Sequence, residues 1–220
     1  MKVHVRGILF DMDGVLISSL GSVERSWTKW GAMRNIDGAL AIKTAHGQRA
    51  IETVRKLRPD LNDVEELKLI EEIEIADNDD IEVLQGVPRI LAALPEKYWT
   101  IVTSATEKLA RSRLGYAGLA VPNHIITADM VTDGKPHPEP YLKGAALLRL
   151  KAEDCLVIED SSSGAIAGHA AGCKVLATLF SHTTKELAAA DWIVQSLEDV
   201  TVCAKDDGVE VEFEPVFQKK

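Results

Sequence analysis

The stretch Val5-Arg6-Gly7-Ile8-Leu9-Phe10-Asp11-Met12-Asp13-Gly14-Val15 decides how the rest of the chain is read. Its apolar part is broken only by Arg6 and Gly7 and does not alternate, which predicts a strand covered on both faces. An acidic turn follows at once, and Gly14 gives the backbone freedom to bend. In a parallel sheet, ligands bind in the crevice at the carboxyl ends of the strands, so a strand that runs into Asp11 carries its carboxylate there. Carboxylates as close as those of Asp11 and Asp13 repel, and one is driven to hold its proton unless a cation or a division of labour separates them. A divalent metal settles that conflict, and oxygen ligands select Mg²⁺. Taken alone, Asp-x-Asp-Gly is equally a turn sequence that makes Asx hydrogen bonds.

Working outward, short apolar runs recur at Trp99 to Thr103, His124 to Thr127, Cys155 to Ile158 and Lys174 to Thr178. Helical patterns separate them over Val87 to Leu94, Thr106 to Leu114, Pro138 to Leu150 and Ser162 to Ala171, the last stopped by Gly172. Strand alternating with helix predicts an α/β fold, a Rossmann-like parallel sheet with right-handed crossovers. Residues 16–86 break the rhythm. They hold helical texture at Ser22 to Trp30, Gly47 to Leu57 and Asp63 to Ile75, and no convincing strand. The expected organisation is therefore a core of residues 1–15 and 87–220 with a helical cap domain, residues 16–86, inserted after the first strand. The weak alternation Val209-Glu210-Val211-Glu212-Phe213 predicts an edge strand and then a frayed end.

The chain has 220 residues, 46% of them hydrophobic, and 25 Lys+Arg against 34 Asp+Glu give it a net charge of −9. That acidity argues against a nucleic-acid or anionic-membrane binder, since both need a basic face. It leaves room for a local anion site built from oriented N–H groups and one lysine. Three cysteines without metal spacing, no signal-like start and no long apolar run predict a cytoplasmic protein that does not enter a membrane. No apolar stripe is left unassigned to a core, so a monomer is expected.

The acidic pair has company. Ser104 closes the second strand, Lys135 lies in Gly134-Lys135-Pro136, and Glu159-Asp160 follow the run ending at Ile158. All fall at the same end of a predicted strand. Two carboxylates, a hydroxyl, a cation and a second acidic pair are what phosphoryl transfer to an aspartate requires. Ser104 could also be the N-cap of the helix that follows it, a role compatible with phosphate binding at that terminus.

Here the sequence resembles the haloacid dehalogenase superfamily of phosphohydrolases. The matching stretches, in the family's order, are Phe10 to Val15, Val102 to Ala105, Gly134 to Leu142 and Ile158 to Gly164. The resemblance implies that Asp11 is the nucleophile that becomes a phosphoaspartate and that Asp13 protonates the leaving oxygen and then activates water. It implies that Ser104 and the Ala105 N–H hold phosphate oxygens and that Lys135 neutralises nucleophile and phosphate. Mg²⁺ would be held by the Asp11 carboxylate, the Asp13 carbonyl and Asp160, with Glu159 acting directly or through a water.

In that family a helical insert closes over the site and selects the substrate. The pattern His46-Gly47-Gln48-Arg49, with Arg49 able to form a bidentate oxygen contact and His46 beside it, resembles the subgroup that hydrolyses small sugar and polyol phosphates. Glycerol phosphate and 2-deoxyglucose 6-phosphate are that subgroup's substrates. The competing reading is a β-phosphoglucomutase-like phosphosugar mutase, whose members carry a histidine where this chain has Val23. A non-catalytic phosphometabolite-binding protein is the reading of another class.

Overall fold

The computed structural model describes residues 1–219. In chain order, β1 (Lys2–Val5), β2 (Gly7–Phe10) and β3 (Ile17–Ser18) lead into four helices, α1 (Leu20–Met33), α2 (Gly38–Ala45), α3 (Ala50–Leu57) and α4 (Asp63–Ala76). Then come β4 (Glu82–Val83), α5 (Val87–Ala93), β5 (Trp99–Ile101), α6 (Glu107–Tyr116), α7 (Glu139–Leu147), β6 (Cys155–Glu159) and α8 (Ser162–Ala170). The chain closes with β7 (Lys174–Thr178), β8 (Trp192–Val194), β9 (Thr201–Lys205), β10 (Gly208–Glu212) and β11 (Phe217–Gln218).

The main sheet runs β11-β8-β7-β6-β2-β5, parallel except for β11, which pairs antiparallel with β8. β2 and β6 are buried at every residue, as an unalternating apolar run demands of a strand covered on both faces. Ile8 and Phe10 of β2 project into one apolar cluster with helices α5 and α6, while Leu9 joins a second cluster against α7 and α8. β2 sits between β5 and β6, the strands that follow it to either side. That is where the crevice opens, and Asp11 stands at the end of the strand.

Three expectations are corrected. The run from Val5 to Phe10 is two strands, because Arg6 donates its backbone N–H to Asp154 while β1 pairs antiparallel with β10 in a separate sheet. Residues 124–127 make one parallel bridge, Val102 with Ile126, instead of a strand. β10 is the middle strand of the small sheet β1-β10-β9, not an edge, and the tail beyond it returns as β11.

The helical segment has its own core, with Trp27, Trp30, Ala41, Ala45, Val54 and Ile70 buried together. At its foot β3 and β4 form a two-stranded antiparallel ribbon, with Ile17 opposite Val83. α2 was outside the helices expected from the pattern. Its N-cap Asp37 accepts from the Leu40 N–H, and its Ala41 and Ala45 face the neighbouring helices. Cys155 and Cys173 are buried free thiols, both pushed up to about 12 chiefly by burial. Among the described residues, no helix is long and apolar enough to cross a membrane.

Candidate active site

Four segments meet at the carboxyl ends of β2, β5 and β6. Lys135 Nζ donates to Asp11 Oδ1 at 2.7 Å, to Glu159 Oε1 at 2.6 Å and to the Val102 carbonyl at 3.1 Å. The carboxylates of Asp11, Glu159 and Asp160 place oxygens within 4.8 Å of one another, all three buried. Gly14, at φ +80°, lets the turn pass beside Asp160, since a Cβ there would lie 2.0 Å from Asp160 Oδ2.

The charges do not balance. Three buried carboxylates face one ammonium. Burial pushes Asp11 up to about 7, against the pull of Lys135 and with the push of Glu159. Burial likewise drives Asp160 well above the usual carboxylate range, and Glu159 and Asp11 add to it. Burial works on Glu159 too, but Lys135 outweighs it and holds that carboxyl below its usual value. Burial also opposes the Lys135 charge, yet Asp11 and Glu159 outweigh it and keep the ammonium protonated. An all-oxygen, under-neutralised carboxylate cluster fits a hard dication.

Glu159 has little left to give such an ion. Its Oε1 accepts from Lys135 and from Tyr141 Oη at 2.6 Å, and its Oε2 accepts from Asp160 N–H, Ser161 N–H and Ser161 Oγ, each at 3.0 Å. The free carboxylate edges belong to Asp11 and Asp160. Asp160 in turn accepts from Ser181 Oγ.

Asp13 lies beside this cluster and is held by groups the sequence did not single out. Its Oδ1 accepts from Ser19 Oγ at 2.5 Å and from Arg113 Nη1 at 3.1 Å. Arg113 Nη2 donates at 3.2 Å to Glu74 Oε1 of α4. Arg113 falls on the buried face of α6 with Leu109, Ala110 and Leu114, so a charged residue at an apolar helical position was the available signal.

Ser104 lines the cavity above the cluster, and the helix cap is Thr106, whose Oγ1 accepts from the Leu109 N–H at 3.3 Å. The Ala105 N–H, expected free for a phosphate oxygen, donates to Thr103 Oγ1 at 3.1 Å. The cavity holds about 270 Å³ and lies between the sheet ends and the helical segment, with Val23, Trp27, Leu67 and Ile70 on its apolar wall. His46 also lines it, its ring 5.5 Å from that of His182, and burial followed by the His182 charge lowers its pKa. Arg49 forms part of the same wall, and its guanidinium donates to Glu52 and to the carbonyls of Val131 and Thr132.

The helical segment is drawn onto the core by several such bonds. Glu71 of α4 accepts from Thr106 Oγ1 and from Lys108 Nζ, and Ser163 Oγ donates to the Gly47 carbonyl at 2.9 Å.

Comparison with known proteins agrees with this architecture. A family model for haloacid dehalogenase-like hydrolases matches residues 5–172, a span that contains every charged group of the cluster. The chain belongs to the haloacid dehalogenase-like hydrolases. It is 36% identical to hexitol phosphatase A of Escherichia coli over 211 residues, covering 94% of this chain and 98% of the relative. Glycerol-1-phosphate phosphohydrolase 2 of Saccharomyces cerevisiae is 32% identical over 237 residues, covering 100% and 95%. A hydrolase from Pseudomonas syringae superposes with a TM-score of 0.80 at 23% identity, over 88% of this chain and 95% of that one, which speaks to the fold. As a haloacid dehalogenase-like hydrolase with named phosphatase relatives, the chain is a phosphoric monoester hydrolase.

Proposed function

We propose that the enzyme is a Mg²⁺-dependent phosphomonoesterase acting on small sugar or polyol phosphates, with Asp11 as nucleophile and Asp13 as general acid and base. The observation that carries this reading is the 2.7 Å contact of Lys135 with Asp11 inside the carboxylate cluster. Asp11 is kept close to an ammonium that offsets the repulsion between its charge and an incoming phosphate. Asp11 and Asp160 would hold the metal, which when bound neutralises carboxylate and phosphate charge together. Glu159, saturated with donors, fixes Lys135 and would act on a bound cation through its charge.

Asp11 attacks phosphorus while Asp13 gives its proton to the leaving oxygen, so the P–O bond to the alcohol breaks as the Asp11–phosphorus bond forms. Asp13, now ionised, takes a proton from a water that attacks the phosphoaspartate and releases phosphate, which regenerates Asp11. Ser104, free of capping duty, would donate to a phosphate oxygen, and the Ala105 N–H would exchange its Thr103 partner for another.

A neutral hydroxylated leaving group suits the cavity, because Lys135, Arg113 and Arg49 are each paired to carboxylates of the protein. That pairing leaves those three without spare charge for a second phosphate. Val23, where the mutases carry a histidine, is a cavity-wall residue that cannot transfer a proton. Both features favour hydrolysis over phosphosugar mutation.

The test is phosphate release with Mg²⁺ from a panel of polyol and sugar monophosphates, with Asp11→Asn in parallel. Release by the parent and its loss in the variant are expected. Hydrolysis that survives Asp11→Asn would refute the nucleophile, and isomerisation of a sugar 1-phosphate with little free phosphate would favour the mutase.

A further inference from the structure

We propose that Arg49 and Glu52 form a clasp by which the helical segment holds the loop carrying Lys135, so that Arg49 is a positioning residue and not a contact to the ester. The proposal rests on the hydrolytic reading only for the identity of the reaction that Lys135 serves.

Arg49 stands at the N-cap of α3 and is 7% exposed. Its fork spans the gap to the core. Nη1 donates to the Val131 carbonyl at 2.9 Å and Nη2 to the Thr132 carbonyl at 2.8 Å. Nε and Nη2 also donate to Glu52 Oε1, at 3.1 and 2.5 Å. That same Glu52 oxygen accepts from the backbone N–H of Gly134 at 3.3 Å. Two carbonyls and one amide of a four-residue stretch are thus bound by one ion pair of the helical segment.

The core side is shaped to receive it. A Cβ on Gly134 would lie 2.6 Å from Arg49 Nε, so this glycine is the vacancy into which the guanidinium fits. From the opposite side, Glu139 accepts from the Thr132 and Asp133 N–H groups, at 3.0 and 2.9 Å on its nearer oxygens. The loop is therefore gripped between a carboxylate of the core and a clasp of the helical segment, and the next residue is Lys135. Lys135 must stay within hydrogen-bond reach of both Asp11 and Glu159. Any outward displacement of the helical segment withdraws Arg49 and Glu52 together and leaves the stretch 131–134 with core contacts only, from Glu139 and the His137 N–H, while Lys135 keeps its own bonds. Closure over the cavity and correct placement of the ammonium are, by this geometry, one event.

The experiment compares Arg49→Ala, Glu52→Ala, Glu52→Gln, Gly134→Ala and the Arg49→Ala/Glu52→Ala double variant on glycerol phosphate and on p-nitrophenyl phosphate. A displaced ammonium lowers kcat on both esters by the same factor, about ten- to a hundredfold, with little change in KM. The double variant is expected to lose no more than the worse single one, because both residues serve one contact. Glu52→Gln, whose amide oxygen still accepts, keeps most of the activity. Amide hydrogen exchange over residues 131–135 accelerates in Arg49→Ala and Glu52→Ala, a readout that holds whether or not either ester is cleaved.

A KM rise confined to glycerol phosphate in Arg49→Ala would overturn the proposal. So would parental kcat in both Glu52→Ala and Gly134→Ala, or unchanged exchange at 131–135. A lowered melting temperature with kcat intact would reduce the pair to a structural role and overturn it as well. If one alanine variant does not fold, Gly134→Ala and Glu52→Gln carry the same comparison. Absence of phosphate release from the parent would instead speak against the hydrolytic reading, and the exchange measurement still decides the clasp.

Discussion

Arg113 of α6 donates to Asp13 Oδ1 at 3.1 Å from a position that is 2% exposed, so the proposed acid/base is steadied by a buried cation. The same guanidinium reaches Glu74 of α4 at 3.2 Å. Arg113→Met would leave two carboxylates facing each other with no counter-charge. The expected cost is about 3–5 kcal/mol of unfolding free energy, read by denaturant titration. Because Asp13 then loses its orientation, kcat should fall about tenfold or more in protein that remains folded.

Metal affinity should depend on pH in one direction. Burial raises the Asp11 carboxyl from its ordinary 3.8 to about 7 in the metal-free protein. Below that value a proton must leave Asp11 before a cation binds, and Asp160, also driven up by burial, must lose its own, so Mg²⁺ affinity should rise with pH through 7. Titration calorimetry at several pH values measures this. The same shift means that the Asp11 contribution to folding of the metal-free chain is present below 3.8 and lost as pH rises through 7. Mg²⁺ should recover it, with a melting temperature that rises with metal concentration.

Tyr141→Phe removes the hydroxyl that donates to Glu159 Oε1 at 2.6 Å but keeps the ring in the core. Lys135 still neutralises Glu159, so the stability cost should be about 1–3 kcal/mol. A drop in kcat with KM unchanged would show that this hydroxyl tunes the grip of Glu159 on Lys135.

Ile70→Ala empties a fully buried position in the core of the helical segment. The expected loss is about 2–5 kcal/mol. Ile70 also lines the apolar wall of the cavity, so KM for p-nitrophenyl phosphate should rise at least as much as KM for a polyol ester.

The decisive pieces of this site were legible in local sequence. Asp11, Lys135, Glu159 and Asp160 each sit directly after an apolar run or a glycine turn, and a parallel sheet brings such ends together whatever lies between them. Other parts were set by tertiary partners that local pattern does not display. α2 has consecutive apolar residues at 39–42 and no clear period, and its packing against α1 and α3 decides which of them are covered. The split at Arg6 follows from the Asp154 carbonyl, remote in sequence. The bonds of Arg49 to the Val131 and Thr132 carbonyls are likewise absent from its sequence neighbourhood, because those groups lie 82 and 83 residues on. Arg113 was marked only by its place on the apolar face of α6, and its partner Glu74 was not visible until the two helices met.

The small sheet has a consequence for synthesis. Val3 and Val5 of β1 lie opposite Val211 and Val209 of β10, and the Met1 ammonium donates to the Phe213 carbonyl. On a ribosome, β1 therefore emerges long before β10, and its apolar side chains stay unshielded until β10 arrives. A nascent chain stalled before residue 208 would present a bare, bondable β edge, and such arrested chains should be the ones that chaperones retain and that aggregate first.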